Sequence, residues 1–226
     1  DEINRAPAKV QSALLEVMQE RQVTIGLETY KVPNPFLVMA TQNPIETEGT
    51  YALPEAQVDR FMLKVLVGYP SPTEEFVIVE RMTGFLQPVQ EVLTTNELLE
   101  LQKKAYEVYV DPALIEYAIQ VVNATRKPGS FGLGELEPYL LYGASPRASI
   151  NLILTGKALA FVRGRNYVLP QDVVDMALDV LRHRISLSYE ALSDNVSSDE
   201  LIKQILDRVP IPVVPLHEHT RIRESA

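Results

Sequence analysis

The chain has 226 residues, of which 46% are hydrophobic and 23% charged, with a formal net charge of −9 and no cysteine. This length suffices for one large domain or two small ones, each with its own core. The lack of cysteine excludes disulfides and thiol chemistry and permits a reducing cytoplasm, where we expect the protein. The acidic balance disfavours nonspecific binding to nucleic acid or anionic lipid, because phosphate contacts require Lys and Arg.

The first 69 residues carry both helix and strand patterns. Apolar residues at helical spacing predict a helix over residues 6–21, and a second, short helix is predicted over residues 55–60. Alternating or continuous apolar runs between turn residues predict the strands. These lie at 22–25, 29–32, 36–40 and 61–67. The run at 36–40 is predicted to be buried, so this part belongs to the α/β class.

After Tyr69-Pro70 the strand patterns nearly vanish, apart from a short stretch at 185–189. The helices are predicted at 73–83, 95–108, 112–126, 146–163, 170–181 and 198–208, with prolines near several starts. We therefore divide the chain into an α/β part (1–69), a helical part (70–209) and a C-terminal tail (210–226).

Acidic residues open the chain. Asp1 and Glu2 stand directly before the first helix. Two acids at a chain end are commonly no more than a solvated terminus. Adjacent carboxylates at the end of a strand also suit nucleotide hydrolysis, in which one holds Mg²⁺ and the other orients the attacking water.

Asn43 follows the predicted strand at 36–40, and ligands of open α/β sheets bind beyond the carboxyl ends of strands. Its amide could hold a lytic water or touch a terminal phosphate, or Asn43-Pro44 could simply initiate a turn.

Arg60 and Arg147 each allow a structural and a functional interpretation. Arg60 ends the short helix, where it could pair with Asp59 or Glu55, or reach the nucleotide of a neighbouring subunit as an arginine finger. Arg147 follows Ser145-Pro146, a helix-capping pattern, so its charge opposes the helix dipole. It could pair with Glu135 or Glu137 on the surface, or bind a γ-phosphate.

Several short segments together resemble the MoxR family of AAA+ ATPases. They are Asp-Glu-Ile-Asn-Arg-Ala (1–6), Ala-Leu-Leu-Glu-Val-Met-Gln-Glu (13–20), Ala-Thr-Gln-Asn-Pro (40–44), Glu-Gly-Thr-Tyr-Ala-Leu-Pro-Glu-Ala-Gln-Val-Asp-Arg-Phe (48–61) and Gly-Ala-Ser-Pro-Arg-Ala (143–148). The resemblance covers nearly the whole chain, and the motifs stand in the family's order.

This resemblance implies a partial AAA+ core, a parallel sheet with helices, followed by a helical lid domain. It assigns Asp1 and Glu2 to the Walker B pair, for Mg²⁺ and for water activation respectively. It makes Asn43 sensor 1, Arg60 the arginine finger and Arg147 sensor 2, with ATP and Mg²⁺ as ligands.

The family's Gly-x-x-x-x-Gly-Lys-Thr/Ser phosphate loop does not occur in these 226 residues. The Gly-rich stretch at 129–134 has no Lys-Thr or Lys-Ser after it, so we interpret it as a flexible loop. We therefore expect the chain to be part of a longer protein. Because the loop's amides and Lys cradle the phosphates, we expect these residues alone to bind ATP very weakly or not at all.

Three functions compete at this point. The resemblance implies a chaperone-like ATPase that acts as an oligomeric ring, with a hexamer as the expected size, on von Willebrand factor A domain proteins or other clients. A non-enzymatic protein-binding module is the alternative if the chain is complete without a phosphate loop. A nucleic-acid motor, known in related branches, is disfavoured by the acidic charge.

Overall fold

The structure, a computed structural model, describes residues 1–43, 49–85 and 88–213. In the α/β part, a 3-10 turn (Ile3–Arg5) precedes helix α1, a hairpin and a short helix. These elements are α1 (Ala8–Glu20), β1 (Gln22–Ile25), β2 (Glu28–Lys31) and α2 (Glu55–Val58). The hairpin is antiparallel and turns at Gly26, whose φ of 67° favours glycine. The predicted helices and hairpin of this part are confirmed.

The helical part contains every long helix predicted for it. They are α3 (Pro72–Thr83), α4 (Thr95–Tyr106), α5 (Pro112–Arg126), α6 (Pro146–Val162), α7 (Pro170–Leu181) and α9 (Ser198–Arg208). A further short helix, α8 (Tyr189–Ser193), was not predicted. The predicted stretch at 185–189 contains β4 (Ser186–Leu187), which pairs antiparallel with β3 (Leu140–Tyr142).

Local signals start these helices. Ser71, Thr94 and Ser197 each form a capping box with a glutamate three residues later. Asp111 and Ser145 stand directly before the first residues of α5 and α6, which are prolines. Their side chains accept the N–H groups of Ala113 and Arg147 in the first turns of these helices. Because these signals lie within a few residues of one another, the sequence alone could reveal them.

The hydrophobic core lies in the helical part. Buried side chains of α5, α6, α7 and α9 form one cluster, and Leu63 of the α/β part packs against it. The Gly-rich stretch at 129–134 is not an open loop. It runs through two 3-10 turns, Pro128–Phe131 and Gly134–Tyr139. Leu133, between the turns, and Leu136, in the second turn, are both buried. Burial of these leucines holds a segment that its glycines alone would leave flexible.

The predicted strands at 36–40 and 61–67 do not form, and the sheets among the described residues are two antiparallel pairs rather than a parallel sheet. The side chains of Leu37 and Met39 are 80% and 84% exposed, so the prediction of a buried strand at 36–40 is wrong. A strand needs a neighbouring backbone for its hydrogen bonds and a covering layer for its apolar face. The described part of the chain supplies neither at 36–40.

Within the described ranges, no helix combines the length and the apolar character needed to cross a membrane. The predicted tail lies outside the described residues from residue 214 onward. The boundary proposed at residues 69–70 falls between α2 and α3 and stays a prediction.

Candidate functional site

The N-terminal acidic pair lies beside the segment that leads into Asn43. The backbone N–H of Glu2 donates to Thr41 Oγ1 at 2.9 Å, and that of Ile3 donates to the Thr41 carbonyl at 3.0 Å. The sequence separation is about forty residues, so this contact brings the predicted Walker B and sensor 1 segments together as expected.

Glu2 has an unusual backbone conformation. Its φ of 50° and ψ of 59° lie in the left-handed region, which non-glycine residues rarely adopt. Its carboxylate pairs with Arg5 at 2.5 Å, and its side chain is 36% exposed. Strain of this kind persists where neighbouring contacts enforce it and is common at functional sites. At Glu2 the two bonds to Thr41 provide that enforcement.

The buried side-chain amide of Gln11 binds the backbone that follows Glu2. Gln11 of α1 is 1% exposed, and its Nε2 donates to the carbonyls of Ile3 and Tyr51, both at 3.4 Å. The Tyr51 N–H in turn donates to the Asn4 carbonyl at 2.6 Å. Sequence reasoning missed Gln11, although a glutamine among the apolar positions of a helix is a signal that could have identified it.

Asp59 is the centre of a second cluster, which joins the α/β part to the helical part. Its carboxylate accepts from Ser145 Oγ at 2.9 and 2.8 Å, from Arg147 Nη1 at 2.9 Å and from Arg184 Nε at 3.1 Å. Burial opposes ionisation, but the hydrogen bonds from Arg147 and Ser145 and the charge of Arg184 outweigh it and lower the pKa of Asp59. Asp59 is therefore an anion held by two cations.

The two arginines of this cluster differ in exposure. The Arg184 side chain is fully buried, whereas that of Arg147 is 48% exposed. Arg147 stands in the first turn of α6, as predicted, but its ion-pair partner is Asp59 rather than Glu135 or Glu137. Glu137 instead accepts the Gly129 N–H at 3.2 Å. The ion pair to Asp59 offsets the unfavourable helix dipole at Arg147.

The segment that precedes Arg147 is clamped to the end of α5. The Ala144 N–H donates to Thr125 Oγ1 at 2.9 Å, and Arg126 Nε donates to the Ala144 carbonyl at 2.7 Å. A Cβ on Gly143 would lie 2.5 Å from the Thr125 carbonyl oxygen, so only glycine allows this approach. The position of Arg147 thus depends on Gly143.

Arg60 does not pair with either of the partners considered from the sequence. Asp59 is engaged as described, and Glu55 Oε1 accepts from Ser186 Oγ at 2.6 Å. Arg60 Nη1 is buried and has no hydrogen-bond partner among the described residues. Leaving such a donor unsatisfied costs about 1–3 kcal/mol, which favours an acceptor supplied from elsewhere.

Residues 182–184, which we call the basic triplet, hold the backbone around Arg60. Arg184 donates to the carbonyls of Asp59, Phe61 and Met62, and His183 Nε2 donates to that of Phe61 at 3.0 Å. Arg182 donates to the Lys64 carbonyl at 2.6 Å. Backbone carbonyls in the predicted strand at 61–67 are thus occupied by side chains, which explains why no strand begins there.

His183 is a structural residue in this arrangement. Burial, and secondarily the charge of Arg184, lower its pKa to about 4, so it is neutral at pH 7 with its proton on Nε2. The role of the two arginines of the basic triplet was missed from the sequence. Their only signal was their place at the end of an apolar helix.

A cleft of about 430 Å³ lies beside this cluster, between the segment after Thr41 and the start of α6. Gln42, Asp59, Ser145, His183 and Arg184 line it, together with neighbouring residues. Gln42 directly precedes Asn43, and Ser145 caps the helix of Arg147. None of the five predicted site residues is among the described residues that line the cleft. Those five are Asp1, Glu2, Asn43, Arg60 and Arg147. The cleft therefore adjoins the predicted site without being lined by it.

The residues present fit a magnesium nucleotide in charge and type. Mg²⁺ in nucleotide sites commonly takes one or two protein carboxylates and completes its shell with water and phosphate oxygens. Asp1, which is exposed, and Glu2 can supply such ligands. Within the described residues, no cluster of three or more acidic or histidine side chains forms a complete protein cage for a metal.

Comparisons with known proteins match both parts of the chain. The model of the ATPase family associated with various cellular activities (AAA) matches residues 1–63, and the AAA lid domain model matches residues 136–205. A crystal structure of a protein from Cytophaga hutchinsonii superposes with a TM-score of 0.90 at 49% identity, covering 94% of this chain and 65% of that one.

Curated relatives match over almost the whole chain. Chaperone MoxR1 of Mycobacterium tuberculosis is 55% identical over 214 residues, which is 95% of this chain and 57% of the relative. YeaC of Bacillus subtilis is 38% identical over 94% of this chain and 64% of its own length. The chain thus spans about three fifths of these relatives. Taken with the ATPase and lid matches, this identity shows that the chain belongs to the MoxR family of AAA+ ATPases.

Proposed function

We propose that this chain is the part of a MoxR-type ATPase that senses and hydrolyses ATP, and that the full-length protein uses the energy to remodel client proteins as an oligomeric ring. The observation that carries the proposal is the Asp59 cluster. It connects the segment of Arg60 to the helix of Arg147 beside a cleft. In this proposal Arg147 serves the nucleotide of its own subunit and Arg60 serves the nucleotide of the neighbouring subunit.

Each residue has a distinct role in this proposal. The Asp1 carboxylate helps to hold Mg²⁺, and the Glu2 carboxylate orients the attacking water and accepts its proton. The Asn43 amide positions the same water or the terminal phosphate. Mg²⁺, when bound, neutralises negative charge on the phosphates. Arg147 binds the γ-phosphate of its own subunit.

Arg60 acts on the nucleotide of the neighbouring subunit. Its Nη1 has no acceptor among the described residues of its own chain. Because this atom is buried, the side chain must turn outward to reach a phosphate oxygen of the adjacent site. Arginine fingers of this kind stabilise the transferred charge and accelerate hydrolysis about 10³–10⁵-fold. The role of Arg60 is therefore the strongest reason to propose a ring, for which a hexamer is the expected size.

The partners follow from the family. The Mycobacterium tuberculosis relative is named a chaperone, which supports protein clients, and von Willebrand factor A domain proteins are the class we propose to test first. The match to ATPase and lid models favours this enzyme over a binding module without activity. The net charge of −9 supports protein rather than nucleic-acid clients.

Variants of the full-length protein test the assignment. Glu2→Gln should keep ATP binding and abolish turnover, because the amide cannot accept the water's proton. Arg60→Ala should also keep binding and lose turnover. Arg208→Ala is the control, because Arg208 donates to the Phe131 carbonyl in the helical part and has no proposed role with ATP. ATP turnover of this variant should stay unchanged.

Mixing the two inactive variants distinguishes a finger that acts between subunits from one that acts within its own. Mixed rings contain interfaces with an intact Glu2 on one side and an intact Arg60 on the other, so part of the ATPase activity should return. Full activity of Arg60→Ala, or no recovery on mixing, would remove the finger assignment. Binding of ATP at micromolar affinity by residues 1–226 alone would contradict the expected need for a phosphate loop.

A further inference from the structure

Asp59 holds three hydrogen-bond donors from the helical part, and they are not equally replaceable. Arg184 is fully buried and also donates to the carbonyls of Asp59, Phe61, Met62 and Val180. Arg147 is half-exposed, and its Nη1 is bonded to Asp59 Oδ2 at 2.9 Å. Arg184 is therefore confined, whereas Arg147 can leave Asp59 without breaking a buried network.

Arg147 can exchange between the Asp59 carboxylate and a γ-phosphate because the two anions are chemically alike. A guanidinium binds carboxylate and phosphate oxygens in the same planar geometry. When Arg147 is bonded to Asp59, the guanidinium group needed for a γ-phosphate is already occupied by an anion of its own chain. Asp59 and the cap residue Ser145 both line the cleft, so the exchange would take place at its wall.

We propose that Asp59 is a latch that holds Arg147 while no γ-phosphate is present, and that ATP binding transfers Arg147 from the Asp59 carboxylate to the γ-phosphate. This inference rests on the proposed function of Arg147. Asp59 is a positioning residue in this scheme, since it acts through Arg147. The latch makes the protein discriminate less strongly between ATP and ADP than Arg147 alone would, because only ATP must compete with Asp59 for Arg147.

The Asp59→Asn variant isolates the latch. Asparagine keeps the volume and an oxygen that can accept from Ser145, but it removes the charge that binds Arg147. Arg184 retains its four backbone carbonyl partners, so the joint between the two parts of the chain should persist. Should this variant fail to fold, Asp59→Ser also removes the carboxylate and leaves the backbone carbonyl partners of Arg184 in place, and it should act in the same direction.

The experiment measures the dissociation constants of AMP-PNP, a non-hydrolysable ATP analogue, and of ADP for the full-length protein. A half-exposed ion pair of this kind opposes its replacement about fivefold at most. Asp59→Asn should therefore lower the dissociation constant of AMP-PNP by up to about fivefold and leave that of ADP unchanged. Asp175→Asn, which removes a lid carboxylate from Arg163 and does not line the cleft, should change neither constant.

An Arg147→Gln background provides the second readout. Once Arg147 is absent, Asp59→Asn should no longer affect AMP-PNP. An equal change for both nucleotides, no change, or a gain that survives in the Arg147→Gln background would overturn the latch. These results leave the proposed function standing if the wild type binds AMP-PNP, whereas a wild type that binds neither nucleotide would overturn both.

Discussion

Replacing Arg184 by methionine tests whether the basic triplet joins the two parts of the chain. Methionine keeps most of the apolar volume of the side chain but removes its hydrogen bonds to the Asp59 carboxylate and to four backbone carbonyls. Breaking a buried ion pair from one side costs about 3–5 kcal/mol, because the remaining charge loses its partner.

The structure places this variant at the lower end of that range. Asp59 keeps Arg147 and Ser145, and the Phe61 carbonyl keeps His183, so few groups are left without any partner. We expect the free energy of unfolding to fall by about 3 kcal/mol, a large part of the 5–15 kcal/mol typical of a folded domain. ATP turnover should fall too, because Arg60 lies in the segment that loses the hydrogen bonds of Arg184.

Urea unfolding followed by circular dichroism measures this change in the free energy of unfolding. The slope of that free energy against urea concentration should be the same in the variant and the wild type. Arg208→Met is the matched control. That arginine is exposed and contacts the Phe131 carbonyl, so its loss should change the free energy of unfolding by about 0.5 kcal/mol or less. A loss of under about 1 kcal/mol for Arg184→Met would refute the view that the triplet holds the segment.

Two further predictions concern the same joint. Gly143→Ala should destabilise the protein by about 1–3 kcal/mol and weaken ATP binding, because its Cβ would overlap the Thr125 backbone. Gly156→Ala, whose Cβ would meet side chains at an ordinary 3.5 Å, is the control and should be neutral or slightly stabilising in thermal unfolding. The pKa of His183 falls from 6.5 to about 4 on folding, so the unfolded chain takes up the proton first as the pH drops. Stability should be fully present above pH 6.5 and decrease by up to about 3 kcal/mol towards pH 4. His183→Gln should flatten this decrease in urea titrations at several pH values, and an unchanged pH dependence would contradict the assignment.

The local part of the fold was predictable because its causes are local. A capping serine and a proline mark the start of α6, and an apolar repeat with a turn glycine marks α1 and the hairpin. The five candidate site residues come from motif order and stay predictions. The contact of Glu2 with Thr41 agrees with the predicted proximity of two of these motifs.

The strands at 36–40 and 61–67 and the partners of the arginines depended on tertiary structure. A strand is completed by hydrogen bonds to a distant neighbour, and at 59–64 backbone carbonyls bind the basic triplet instead. The sequence by itself determined which cations stand at helix ends. Only the packed structure decided that Arg147 and Arg184 share Asp59, 88 and 125 residues away, because an ion pair forms with whichever opposite charge packing brings within reach.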